Sequence, residues 1–199
     1  MRITTLLLAL TLSAITIAQN TLTPESLWQL KRIYGESVSP NQKAIIFSEK
    51  EYELDKDKGI SHLYFMDIDG NNIKRISDGN SSIYSAQWRP DGTKIGYLSN
   101  QSGSMQLWEM NPDGSDAKQV SFFSEGIANW SYSPNMEFIS YTMDVKVEES
   151  LSDKYSDLPK ATGRAYDNLM FRHWTQWHDY TYSHVFFSQY SDAQIAPDQ

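Results

Sequence analysis

The stretch Trp88-Arg-Pro-Asp-Gly-Thr-Lys-Ile-Gly-Tyr-Leu-Ser99 decides the fold of this chain, because related versions of it occur twice more. They are Val38-Ser-Pro-Asn-Gln-Lys-Ala-Ile-Ile-Phe-Ser48 and Tyr132-Ser-Pro-Asn-Met-Glu-Phe-Ile-Ser-Tyr141. The three prolines are 50 and then 44 residues apart. Repeats of this length, built from short strands and turns, are typical of β-propeller blades. One blade cannot bury both faces of its own sheet, so such repeats stack on one another.

A second repeated phrase supplies the other half of each blade. Leu63-Tyr-Phe-Met-Asp-Ile-Asp-Gly70 recurs as Leu107-Trp-Glu-Met-Asn-Pro-Asp-Gly114. Its Asp-Gly pairs supply the positive φ that tight hairpin turns require. We therefore predict an all-β fold, a partial β-propeller of four-stranded blades with about two and a half blades present. Propellers close as rings of about 4–8 blades, so we expect the chain to be the front portion of a longer protein.

We expect the chain to divide into a leader and one incomplete propeller domain over residues 19–199. Arg2, the apolar run Leu6–Ile17 and the small residues Thr16-Ile-Ala18 predict a signal peptide over residues 1–18. A short helix over residues 24–34 follows, with Thr23 as its cap and Gly35 as its stop. We expect blades over residues 36–82, 83–126 and 127–199, the last with an insertion at 146–178.

The predicted strands alternate with turn signals along the whole propeller region. They cover residues 44–49, 63–67, 73–77, 83–88, 94–99, 105–110, 118–122, 127–132, 137–145 and 184–190. Lys50–Gly59 is charged and is predicted to be a solvated hairpin loop. Between Tyr166 and Trp177, a set of residues recurs at helical spacing, although a strand is also possible because aromatic side chains favour strands. The set is Tyr166, Leu169, Met170, His173, Trp174 and Trp177.

Composition excludes several functional classes. A net charge of −8 argues against a general nucleic-acid binder, because an acidic chain repels phosphate backbones. The absence of cysteine excludes disulfides, thiolate metal sites and a cysteine nucleophile. Export without cysteine fits a bacterial periplasmic or secreted protein. Apart from the leader, which is itself too short, no segment is apolar enough to span a membrane, so we expect no membrane association after signal cleavage.

No catalytic motif is present in the sequence. It has no Gly-x-Ser-x-Gly elbow, no phosphate-binding loop, no His-Glu-x-x-His and no dinucleotide fingerprint. His173, His178 and His184 are five and six residues apart, whereas helical zinc pairs are four apart. The Asp-Gly turns lack the spacing of a calcium loop. We therefore predict no catalytic residue, no metal site and no cofactor in these 199 residues.

Two clusters are candidate binding features. Glu148 and Glu149 can hold the amino terminus of a peptide, or they belong to a solvated loop. The aromatic segment either packs on the propeller or forms a pocket wall that faces a partner domain, with an arginine able to grip a carboxylate or carbonyl. The pocket candidates are Arg172, His173, Trp174 and Trp177.

These repeats resemble the propeller repeat that TolB shares with the prolyl oligopeptidase superfamily. Three stretches are similar to dipeptidyl-peptidase V and acylaminoacyl-peptidase-like enzymes: Leu22-Thr-Pro-Glu-Ser-Leu27, Leu98–Asn111 and Pro159–Trp177. The resemblance covers about residues 22–190. Four positions depart from the family pattern, namely Asn41, Gln42, Thr175 and Met136.

The resemblance implies the N-terminal propeller part of an exported serine peptidase that cleaves short peptides. The propeller would gate access to a C-terminal α/β-hydrolase domain that carries Ser, Asp and His, and these 199 residues would be inactive alone. Arg172, His173, Trp174 and Trp177 are then family-motif positions that face the cavity. The alternative is a non-catalytic periplasmic TolB-like propeller that serves as a protein-interaction platform. A carbohydrate-active propeller is a third possibility, and it would need paired carboxylates around a central tunnel.

Overall fold

The structure, a computed structural model, describes residues 22–167, 169, 171–191 and 194–195. The predicted leader over residues 1–18 lies outside this range. The described residues form three four-stranded antiparallel sheets, which we call the first, second and third blades, and one two-stranded hairpin. A partial propeller is therefore confirmed, and the third blade, of which only part was expected, includes a fourth strand.

Strands are hydrogen-bonded in chain order within each blade. The first blade contains β1 (Arg32–Val38), β2 (Ala44–Glu53), β3 (Lys58–Asp67) and β4 (Lys74–Arg75). The second contains β5 (Tyr84–Trp88), β6 (Ile95–Ser99), β7 (Gln106–Met110) and β8 (Lys118–Gln119). The third contains β9 (Ala128–Tyr132), β10 (Phe138–Lys146), β13 (Thr181–Ser191) and β14 (Gln194–Ile195). The remaining elements are helices α1 (Pro24–Gln29) and α2 (Leu151–Lys154), a 3-10 turn (Leu54–Lys56), β11 (Arg172–His173) and β12 (Gln176–Trp177).

The repeated proline turn has the same geometry in all three blades. The amide of the fourth turn residue donates to the carbonyl three residues earlier, at 2.8, 2.8 and 2.9 Å. That fourth residue is left-handed each time, with φ of +57° at Gln42, +71° at Gly92 and +59° at Met136. The two turns that lack glycine therefore keep the conformation that glycine adopts without strain.

Each core cluster lies between two blades. One joins the first and second blades and includes Ile46, Leu63, Ile95 and Tyr97. The other joins the second and third blades and includes Leu98. Successive side chains of β6 point to opposite faces, and all five of its residues are buried because both faces of the second blade are covered.

The helix predicted over residues 24–34 is shorter in the structure. Thr23 caps it as expected, with its Oγ1 accepting from the Ser26 amide at 3.1 Å, but the helix ends at Gln29. Residues 32–38 instead pair with β2, and Gly35 lies at a bulge in β1 rather than at a helix stop. The prediction of a helix was wrong at residues 32–34, because the hydrogen bonds that these residues form with β2 stabilise a strand more than the spacing of their apolar side chains favours a helix.

The stretch predicted as a solvated loop, residues 50–59, is mostly strand. β2 continues to Glu53 and β3 begins at Lys58, so only a 3-10 turn separates them. The hairpin extends because its side chains find partners: the Tyr52 ring contacts Trp28 of α1 at 5.1 Å and the Arg32 guanidinium at 4.6 Å.

Candidate functional site

The third blade carries a long insertion, residues 147–180, between its second and third strands. β10 and β13 pair without interruption from Phe138↔Gln189 to Lys146↔Thr181. The amide of Val147 then donates to the carbonyl of Tyr180 at 3.0 Å and closes the base of the insertion. The insertion therefore projects from a continuous two-stranded support.

The aromatic segment within the insertion forms a hairpin rather than a helix. β11 and β12 pair Arg172 with Trp177, and the His178 amide donates to the carbonyl of Phe171 at 2.9 Å. Trp174 takes the turn with φ of +51°. The helical prediction is therefore wrong for this segment and the strand alternative is correct, in keeping with the preference of aromatic side chains for strands.

Tyr166 braces this hairpin against the base of the insertion. Its hydroxyl donates to the carbonyl of His178 at 2.7 Å, and its ring stacks on Trp177 with centroids 6.2 Å apart. The hydroxyl of Tyr180 donates to the carbonyl of Ala165 at 3.0 Å in turn. Two tyrosine hydroxyls therefore hold segment 164–167 beside the hairpin.

One side of the hairpin bounds a cleft of about 440 Å³, which we call the basic cleft. Its lining residues are Thr162, Arg164, Tyr166, Phe171 and Trp177. The guanidinium carbons of Arg164 and Arg172 lie 5.8 and 5.0 Å from the Trp177 ring centroid, within the range of cation–π attraction. Two cations therefore share one aromatic ring at this cleft.

A second cleft, of about 230 Å³, shares Tyr166 and Phe171 with the first, and we call it the acidic cleft. Glu148, Asp167 and the rings of Tyr180 and Tyr182 are among its other lining residues. Burial raises the pKa of Tyr180, and the nearby charges of Asp167 and Glu148 raise it further. Of the acidic pair singled out in the sequence, Glu148 lines this cleft and Glu149 does not.

The structure brings together only two of the four predicted pocket residues. Arg172 packs on Trp177 beside the basic cleft, whereas Trp174 is 86% exposed at the hairpin turn and His173 contacts the Trp174 ring at 6.3 Å. Whether any of these residues binds substrate stays a prediction. Sequence reasoning did not select Arg164, Tyr166 or Phe171, and their only signal was the density of aromatic and basic residues in the segment.

The described residues contain no group of three or more His, Asp or Glu side chains placed to hold a metal ion. They also contain no helix with the length and apolarity needed to cross a membrane. The side chains that line the two clefts of the insertion are mainly arginine, carboxylate and aromatic residues.

Comparison with known proteins agrees with this architecture. Residues 37–161 match the sequence profile described as TolB beta propeller domain. The chain is 38% identical over 187 residues to dipeptidyl-peptidase 5 of Porphyromonas gingivalis, covering 94% of this chain and 27% of that protein. It is 34% identical over 174 residues to the dipeptidyl-peptidase 5 of Porphyromonas endodontalis, covering 87% of this chain and 25% of that protein. The chain thus spans about a quarter of the length of these curated relatives.

A solved acylaminoacyl peptidase from Pyrococcus horikoshii has the same fold. It superposes with a TM-score of 0.64 over 86% of this chain and 25% of its own, at 11% identity. The resemblance to dipeptidyl-peptidase V and acylaminoacyl-peptidase-like propellers, expected from the sequence, is confirmed.

Proposed function

This chain belongs to the TolB β-propeller family, and from that premise we propose that it is the N-terminal propeller part of an exported serine peptidase. The proposal rests on its 38% identity, over 94% of its length, to a dipeptidyl-peptidase of which it spans only 27%. The Ser, Asp and His of catalysis would lie on a C-terminal α/β-hydrolase domain. The propeller would gate access so that short peptides enter and folded chains do not.

In this proposal the insertion of the third blade faces the substrate path. Of the predicted pocket positions, Arg172 and Trp177 lie beside the basic cleft and are assigned the contact, while His173 and Trp174 lie towards the hairpin turn. A leader over residues 1–18 would direct the protein to the periplasm or the exterior of a bacterium.

The decisive experiment is to read the gene downstream of Gln199 and to express the product that it encodes. We expect a Gly-x-Ser-x-Gly motif within a few hundred residues and hydrolysis of dipeptidyl chromogenic substrates that a serine-directed inhibitor abolishes. The 199-residue chain alone should hydrolyse none of them. Inhibitor-sensitive turnover by the isolated chain would contradict the proposal.

A second candidate is a non-catalytic TolB-like interaction platform, which the profile match over residues 37–161 favours equally. It predicts a stop codon after the last blade and no hydrolytic activity in the complete product. The same downstream sequence therefore separates the two candidates.

A further inference from the structure

We propose that the basic cleft binds the carboxylate of a peptide and packs an apolar residue of that peptide against Phe171 and Trp177. That the ligand is a peptide rests on the proposed function. That it is anionic rests on the structure alone. The carboxylate can be the C-terminus of the peptide or an acidic side chain, because both present the same pair of oxygens.

The charge of the cleft is the first argument. The chain has a net charge of −8, yet within the described residues neither Arg164 nor Arg172 pairs with a carboxylate. By contrast, Arg89 in the second blade donates to Asp91 at 2.8 and 2.9 Å. These two guanidinium groups have no acidic partner although the protein is acidic. They therefore form a site for an anion from solution.

The contact of both arginines with Trp177 is the second argument, since their guanidinium carbons lie 5.8 and 5.0 Å from its ring centroid. A guanidinium that stacks on a ring uses its face and leaves its in-plane N–H groups free to donate. Those N–H groups form the fork that matches a carboxylate in a bidentate pair. Glu148 and Asp167 of the insertion line the acidic cleft and not the basic cleft, although Tyr166 and Phe171 line both.

The walls of the cleft are the third argument. Phe171 and Trp177 stack on each other at 6.2 Å but remain 43% and 42% exposed, so their outer surfaces are available to an apolar group. A volume of about 440 Å³ accommodates a peptide terminus or one or two residues. The hydroxyl of Tyr166, bonded to the carbonyl of His178 at 2.7 Å, fixes the wall before any ligand binds.

The first test uses calorimetry on the unaltered 199-residue chain with four peptides. Two are Ala-Phe-Ala-Phe with a free and with an amidated C-terminus, and two are Ala-Phe-Glu-Phe-amide and Ala-Phe-Gln-Phe-amide. We expect the peptides that carry a carboxylate to bind at least about tenfold more tightly than their neutral partners. A preference confined to the first pair identifies the C-terminus, and one confined to the second pair identifies the side chain. Equal binding of all four, or no binding, would overturn the proposal.

The second test uses Arg164→Gln and Arg172→Gln, with Lys160→Gln as the control because it removes an exposed positive charge from the same insertion. Each arginine variant should weaken binding of the carboxylate peptide about tenfold, and the control should leave it unchanged. An equal loss in all three variants, or none in either arginine variant, would refute the site. Circular dichroism checks folding, and the four-peptide comparison does not depend on any variant.

The two proposals fail separately. Peptide binding by this chain requires no hydrolase domain, so the absence of a downstream serine motif would refute the peptidase proposal and leave the binding proposal to be tested. An active full-length peptidase that does not discriminate between carboxylate and neutral peptides would refute only the binding proposal.

Discussion

Gln42 occupies the position in the first repeated turn that Gly92 occupies in the second, and it does so with φ of +57°. A left-handed backbone conformation destabilises the folded state by roughly 1–2 kcal/mol for a residue other than glycine. Replacement by glycine removes this strain but also gives the unfolded chain more conformational freedom, which offsets part of the gain. Gln42 is exposed, so little packing is lost on its removal. We expect Gln42→Gly to raise the free energy of unfolding by up to about 1 kcal/mol in urea titrations. Gly92→Ala, the reverse change, should lower it, and a stabilised Gly92→Ala would contradict this account.

These turns could be predicted from the sequence, because proline and Asp-Gly favour turns through their own backbone conformations. The sequence did not show that Gln42 and Met136 would keep the left-handed conformation that Gly92 adopts. The strands that each turn connects pair directly across it and hold that conformation, and the turn residues themselves carry no signal for this pairing.

Asp91 is the residue whose ionisation is most directly tied to the second turn. The hydrogen bonds that Arg89 donates lower the pKa of Asp91 from 3.8 to about 2, and the amide of Thr93 assists. Because this pKa is depressed on folding, the stabilisation is present above about pH 4 and is lost as the pH falls through 2. We expect Asp91→Asn to be less stable near neutrality and to lose stability less steeply below pH 4, by thermal unfolding across pH.

The control for Asp91 is Glu125→Gln, an exposed carboxylate without an ion-pair partner among the described residues. Its curve of stability against pH should follow that of the unaltered chain. Parallel curves for Asp91→Asn and the unaltered chain would rule out the Arg89 contact as the source of acid sensitivity.

At the scale of elements, the contact between the second and third blades depends on Gly96 of β6. A Cβ atom placed there would lie 2.4 Å from Cη2 of Trp130 and 2.5 Å from Oη of Tyr132. Hydrogen bonds donated by Nε1 of Trp130 and by the Tyr132 hydroxyl hold both rings in place, so the blades would have to shift. We expect Gly96→Ala to reduce the free energy of unfolding by about 1–3 kcal/mol in urea titrations. Gly35→Ala in β1, where no atom lies within 4 Å, should change it little, and equal effects would contradict the steric account.

A buried carboxylate also joins these two blades. Glu109 of β7 accepts hydrogen bonds from the hydroxyls of Tyr132 and Tyr190, at 2.5 and 2.6 Å. Burial, followed by Glu109 itself, raises the pKa of both tyrosines, so they remain neutral donors. In a double-mutant cycle of Glu109→Gln and Tyr190→Phe we expect a coupling energy of about 1–3 kcal/mol from chemical unfolding. Additive effects would show that the contact does not stabilise the interface.

Blade strands could be predicted from the sequence because each repeat contains its own alternation and turn signals. The hairpin of the insertion could not, since the spacing of Tyr166, His173 and Trp177 is also compatible with a helix face. Only pairing between Arg172 and Trp177, together with the hydroxyl contact of Tyr166, selects the hairpin. β1 was missed for a related reason, because its partner β2 lies beyond the proline turn.

At the scale of the whole molecule, the second blade is enclosed and its neighbours are not. Each outer blade buries one face against the second blade, and its other face has no neighbouring sheet within the described residues. On the first blade that face includes Ile33, which is 68% exposed. On the third it includes Val185 and Phe187 of β13, which alternate with the inward-facing Phe186 and Ser188. A stack of sheets with apolar outer faces is the arrangement from which propellers are built.

These outer faces predict how the 199-residue chain behaves in isolation. Val185 and Phe187 are 65% and 68% exposed, and neighbouring apolar side chains on an uncovered sheet face favour association. We expect the chain to self-associate with rising concentration in analytical ultracentrifugation, and Val185→Thr with Phe187→Ser to shift it towards the monomer. Since both side chains are exposed, the thermal unfolding midpoint should remain nearly unchanged.

Phe122→Ser, which removes a 71% exposed ring from the edge of the second blade, is the matched control and should leave association as it was. If Phe122→Ser reduces association as much as the double variant does, general surface apolarity rather than the outer face of the third blade is responsible.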